Sequence, residues 1–153
     1  MAKPPSLIGT LETALYARDL DRASVFWTEV MGLPRIGYQP DRHAFFQCGE
    51  QILLVFNPDA TRRPPTAGSP VPVPPHGAEG EGHFCIGVED AQMDAWRQHL
   101  QAAGIRIEAD FVWPQGGRSI YFRDPAGNSI ELAEPRIWSL MRVDQRRART
   151  TTF

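Results

Sequence analysis

The sequence predicts an α+β fold made of two βαβββ modules, and three observations carry that prediction. Signals for a strand, a helix and three further strands follow in the same order in both halves of the chain. In each half an aspartate, Asp19 or Asp90, stands where the first strand gives way to the helix, and serves as its N-cap. The second half also closes on the clearest strand pair of the chain, residues 117–134 (GRSIYFRDPAGNSIELAE).

Module one spans about residues 10–58 of a single domain. After a proline-containing N-terminus, residues 11–17 (LETALYA) alternate as a strand that puts Glu12, Ala14 and Tyr16 on one face. Asp19 then opens a helix running to Met31. Leu20, Ala23, Phe26, Trp27, Val30 and Met31 supply its buried stripe, and Gly32 ends it. Strands follow at 35–38, 44–48 and 51–56, the last two joined by a tight Gly49-Glu50 turn.

Module two spans about residues 82–134. Residues 82–88 (GHFCIGV) read as a strand, and Asp90 caps a helix striped by Met93, Trp96, Leu100 and Ala103 and ended by Gly104. Strands are expected at 105–108, 119–123 and 129–133. Between the last two lies the turn DPAGN at 124–128, where Pro125 pre-sets φ and Gly127 supplies a positive φ. Alternation places Ile130 and Leu132 on one face, and Ser129, Glu131 and Ala133 on the other. Glu131 is thus a carboxylate aimed away from the apolar side of its strand. Between the modules, residues 59–81 carry Pro64, Pro65, Pro70, Pro72, Pro74 and Pro75, and read as a stiff surface connector. Residues 135–153 form a C-terminal tail with a basic end.

A length of 153 residues suits one domain, and 42% hydrophobic with 22% charged residues suits a globular one. A formal net charge of −2 offers no electrostatic basis for binding nucleic acid or an anionic membrane. No apolar run reaches transmembrane length, and residues 1–7 lack a signal-peptide core, so a cytoplasmic protein is expected. Cys48 and Cys85 lie in strand-like runs without a CxxC pair, which predicts free buried thiols. Trp27 and Trp96 are expected in the core. His43, His76 and His99 are expected at the surface, with His76 able to reach a cleft if the proline-rich segment folds over it.

Two such modules, with ETALYARDLDRASVFWTEVMGL at 12–33, GHFCIGVED at 82–90 and YFRDPAGNSIEL at 121–132, resemble the vicinal oxygen chelate superfamily. That group holds the glyoxalase I, bleomycin-resistance, fosfomycin-resistance, methylmalonyl-CoA epimerase and extradiol dioxygenase families. The resemblance implies a half-open mixed-sheet cleft, with metal ligands on the first and last strand of each module. Residue by residue, these positions fall on Glu12, Leu54, His83 and Glu131. Leucine cannot ligate, so the implied metal set is Glu12, His83 and Glu131. Parity agrees, since Glu12 and His83 open their strands at equivalent points of the repeat. Tyr16, Leu54, Trp113, Arg118, Ser119 and Tyr121 are the implied substrate-binding residues, with Arg118 as an anion contact and Trp113 as a wall. One imidazole and two carboxylates favour harder divalent ions such as Mn²⁺, Fe²⁺ or Mg²⁺, and remain compatible with Zn²⁺ or Ni²⁺. Without a metal, two adjacent carboxylates repel and one takes up a proton. Alternatively Glu12 pairs with Arg118 and the cleft is metal-free.

The resemblance implies a divalent-metal-dependent enzyme of the lyase, isomerase or dioxygenase type, acting on a small oxygen-rich molecule. Glu131 or Glu12 would be its proton-moving catalytic residue. The alternative is a metal-free protein that sequesters a small ligand, as in the bleomycin-resistance type. A homodimer is implied in either case.

Overall fold

The computed structural model describes residues 4–138, so most of the basic tail lies outside the described residues. Strands β1 (Glu12–Tyr16), β2 (Arg35–Gln39), β3 (His43–Cys48) and β4 (Gln51–Phe56) form a sheet in the order β1-β4-β3-β2. Strands β5 (His83–Gly87), β6 (Ile107–Val112), β7 (Arg118–Arg123) and β8 (Ser129–Ala133) repeat that topology as β5-β8-β7-β6. In each sheet the first strand pairs parallel with the last, and the other pairs are antiparallel. A parallel pair needs a crossover, and the helix of each module supplies it. The two βαβββ modules are therefore real.

Period-two alternation divides each sheet into a helix-covered face and an open one. Leu53, Val55, Phe46, Ile120, Phe122, Ile130 and Leu132 on the covered faces have no exposed surface. Helix α1 (Leu20–Val25) packs against the first sheet and buries Leu20 and Ala23. Asp19 caps it, accepting the backbone N–H of Arg22 at 2.9 Å. It continues as a π-helical turn, Phe26–Val30. Within that turn the ring of Trp27 lies 6.5 Å from Phe46 of the first sheet and 6.1 Å from Phe84 of the second. Phe26 sits 6.4 Å from Phe122. One helix thus fuses the modules into a single core.

Three elements of module two differ from expectation. Asp90 does not cap the helix: residues Asp90–Gln92 form a 3₁₀ turn, and helix α3 (Met93–Ala102) begins after it with no side-chain cap. Met93 and Leu100 are buried and Trp96 is half-buried, whereas Ala103 lies beyond the last turn and is exposed. Strand β6 starts at Ile107 rather than at 105, because Ile105 N–H is already used at the helix end. It bonds Leu100 C=O at 2.9 Å while Gly104 N–H bonds Gln101 C=O at 3.0 Å, a Schellman motif around Gly104 at φ +72°. Cys48 and Cys85 are free as expected, but Cys48 is half-buried and Cys85 exposed.

Arg118 is held on the covered side of its strand, opposite the open face, and is not an anion contact. Its Nε and Nη2 grip Asp110 in a fork at 2.7 and 2.8 Å, and its Nη1 bonds Asp94 of α3 at 2.7 Å. Nor does it pair with Glu12. Alternation explains this: Ser119 faces the open side, so its neighbour must face the helix. The guanidinium holds the Asp110 carboxyl below the usual aspartate range.

The turn 124–128 does more than reverse the chain. Asp124 Oδ1 accepts the N–H groups of Ala126 and Asn128 at 2.9 and 2.8 Å, and Oδ2 accepts from Asn128 Nδ2 at 2.9 Å. The buried Asn128 in turn accepts Gly82 N–H at 2.8 Å and donates to Tyr16 C=O at 3.3 Å, so it ties β8, β5 and β1 together. The proline-rich segment is fastened rather than a free connector. It begins with the short helix α2 (Pro58–Thr61) and is pinned by Arg18 to Asp59 and Glu79. It also brings half-buried His76 back to Tyr16, Oη to Nδ1 at 2.9 Å. No helix among the described residues is long and apolar enough to cross a membrane.

Two outcomes follow. Asn128→Ala leaves buried polar partners unmet and should lower stability by about 2–3 kcal/mol in urea unfolding. The Asp110–Arg118 pair contributes stability that is present above the ordinary aspartate value of roughly 3.9. It is lost as pH falls through the lower folded value, because the unfolded state then binds the proton first. Arg118→Met should therefore be less stable at pH 7, with a smaller further loss between pH 4 and pH 3, in urea titrations at each pH.

Candidate active site

The open face of the second sheet gathers the chemistry. The parallel register sets His83 beside Ser129 and Cys85 beside Glu131, and the antiparallel register sets Tyr121 opposite Glu131. These strands form because β-branched and aromatic residues alternate there, with Phe84, Ile86, Ile120, Phe122, Ile130 and Leu132 holding the opposite face in the core. His83, Glu131, Ser119 and Tyr121 are thus displayed by rigid backbone.

Glu131 is only 4% exposed. Its Oε1 accepts the Ser119 hydroxyl at 2.6 Å, and its Oε2 lies 3.3 Å from His83 Nε2. Among the described residues no lysine or arginine pairs with it. Ser119 Oγ accepts the Trp113 indole N–H at 2.8 Å. His83 Nδ1 lies 3.2 Å from the Ser129 carbonyl oxygen, so both ring nitrogens of His83 face oxygen acceptors. With a proton on Nδ1 for the carbonyl, Nε2 turns a lone pair toward the carboxylate, an arrangement that calls for a proton or a cation between them.

Aromatic rings wall this pair. Tyr121 stacks at 6.2 Å on His83 and at 6.0 Å on Phe111, which meets Trp113 edge-on at 4.9 Å. Partial desolvation of the sulfur where it packs on the sheet, with the Glu131 charge beside it, pushes the thiol of the otherwise exposed Cys85 up to about 12. Burial and the neighbouring Glu131 carboxylate push the Tyr121 phenol up to about 12 as well. Both groups keep their protons near neutrality, so Cys85 is no thiolate nucleophile and Tyr121 is a hydrogen-bond donor.

The other implied residues lie on the first sheet. Glu12 is exposed at the start of edge strand β1, and Tyr16 and Leu54 share its open face. Among the described residues no three of His, Cys, Asp and Glu converge on one ion position. The expected set of Glu12, His83 and Glu131 does not meet within one chain: the chain itself brings together only His83 and Glu131. The reason is topological, since Glu12 and the pair belong to different sheets. Sequence reasoning also missed the aromatic floor around Tyr16. There His43 stacks on Phe45 at 4.1 Å, and Phe56 lies 5.4 Å from Phe45 and 4.7 Å from His76. Burial lowers the His43 pKa. Strand parity with Tyr16 could have revealed Phe56, though not the approach of His76.

Comparison with known proteins shows what the chain as a whole is similar to. The chain is 45% identical to a lactoylglutathione lyase structure from Agrobacterium tumefaciens, with a TM-score of 0.80 over 90% of this chain and 100% of that one. It is 28% identical over 121 residues to the glutathione transferase FosA of Serratia marcescens, covering 77% of this chain and 74% of that protein. The fosfomycin resistance protein FosX from Mesorhizobium loti, 20% identical, shares the fold with a TM-score of 0.58 over 84% of this chain and 93% of its own. The similarities to the lyase and to the glutathione transferase support an enzyme. The family model matches residues 9–132, and the chain belongs to the Glyoxalase/Bleomycin resistance protein/Dioxygenase superfamily.

Proposed function

We propose that this chain is a divalent-metal-dependent enzyme of lyase or isomerase type, acting on a small oxygen-rich substrate. One observation carries the proposal: a buried carboxylate, unpaired with any lysine or arginine among the described residues, faces the Nε2 of a histidine whose Nδ1 is turned to a backbone carbonyl. This donor set suits a divalent cation, and the carbonyl contact is the usual way a ligating imidazole is oriented. His83 and Glu131 would hold the ion, which when bound acts as a Lewis acid toward adjacent substrate oxygens. Glu131 can hold or move a proton at Oε2 while Oε1 stays bonded to Ser119. Tyr121, still protonated, can donate its hydroxyl to a substrate oxygen, and its stack with Phe111 and His83 holds the ring beside Glu131. The similar proteins named lactoylglutathione lyase and glutathione transferase make glutathione adducts the first substrate class to assay.

A two-donor site is incomplete, and the exposed Glu12 is a third donor on an open sheet edge. We infer that a second copy of the chain supplies it in a cytoplasmic homodimer, module one of one protomer meeting module two of its partner.

Untagged protein should contain about one divalent ion per chain by plasma mass spectrometry, and lose it in Glu131→Gln and His83→Ala with an unchanged circular dichroism spectrum. A wild type that takes up no Mn²⁺, Ni²⁺, Zn²⁺ or Fe²⁺ would sink the proposal. Mixing unfolded Glu12→Gln and Glu131→Gln chains and refolding them should restore about a quarter of wild-type metal content, since a hybrid dimer regains one intact site. No gain over the separate variants would rule out Glu12 acting across the dimer.

A further inference from the structure

We infer that Trp113 and Ser119 are positioning residues that orient Glu131, the buried Ser119 hydroxyl lying out of reach of substrate; this rests on the metal function proposed above. The direction of the hydrogen-bond chain is forced by chemistry. An indole N–H only donates, so Ser119 Oγ must accept from Trp113. Ser119 then has a single proton left, and it lies 2.6 Å from Glu131 Oε1. With no exposed surface and both roles filled, the hydroxyl has nothing to offer a substrate. Its effect is on Glu131: Oε1 is engaged, and Oε2 alone is presented toward His83 at 3.3 Å.

The upstream end of the chain is also held. Trp113 N–H bonds Gly117 C=O and Gly116 N–H bonds Trp113 C=O, both at 2.8 Å, closing a tight loop between β6 and β7. Gly117 adopts φ +89°, and a Cβ there would lie 2.5 Å from Ile137 Cγ2, so the segment after β8 sits directly on the loop. The indole is therefore delivered to Ser119 by a backbone that has little freedom to withdraw it. Such outer partners of a metal-binding carboxylate set its orientation, and losing them weakens metal binding without removing a ligand.

The test is Mn²⁺ titration by calorimetry of wild type, Ser119→Ala and Trp113→Phe, with the absorption bands of bound Co²⁺ as a second readout. Trp113→Phe keeps a ring in place and removes only the donor, which guards against a folding defect in the other variant. Both variants should bind Mn²⁺ more weakly, by roughly 10–100-fold in Ser119→Ala and less in Trp113→Phe, with displaced Co²⁺ bands and unchanged circular dichroism. Affinity within twofold of wild type in both, with unchanged bands, would overturn the positioning role while leaving the metal site standing. A wild type that binds neither ion would overturn the metal site, and the positioning role with it.

Discussion

A carboxylate buried at the centre of a sheet is the constraint around which module two is arranged. Glu131 lies almost wholly out of water, where an ionised group without compensation is strongly disfavoured. What surrounds it answers only part of that cost: a serine hydroxyl donates to one oxygen and a tyrosine and a cysteine keep their protons, while the imidazole facing the other oxygen turns a lone pair to it. No element of the helix-covered core needs a carboxylate there. An apolar residue would serve the fold at least as well, so the charge points to function.

The division of labour between the two faces of the sheets is equally physical. The covered faces are continuous through Trp27 and Phe26, which pack on both modules from one π-helical turn. The open faces carry the reactive groups of the second sheet and the aromatic floor of the first. Arg118 shows how strict the division is. One residue away from Ser119, it serves the helix side and is saturated by Asp110 and Asp94. A strong cation beside the site in sequence is thus absent from the site in space, which leaves Glu131 available to a different cation.

Much of the architecture was legible because it is local. The cap at Asp19, the Gly104 helix stop and the limits of β8 come from side-chain chemistry and period-two alternation within a few residues. The errors fell where neighbours in space decide. Asp90 lost its capping role to a 3₁₀ turn, and β6 shifted because the helix end consumed the amide of Ile105. The proline-rich segment read as a connector until the ion pairs of Arg18 and the contact of His76 with Tyr16 fastened it down.

By itself, the order of residues determined that two βαβββ modules form and which side of its strand each of Glu12, His83, Ser119, Tyr121 and Glu131 occupies, since alternation needs only the strand itself. Only the tertiary structure decided which of those sides meet. It joined His83 to Glu131 through the parallel pairing of β5 with β8, ran a hydrogen-bond chain from Trp113 to the carboxylate, and left Glu12 on the edge of the other sheet. Such meetings depend on contacts between residues far apart in the chain, and no local periodicity records them.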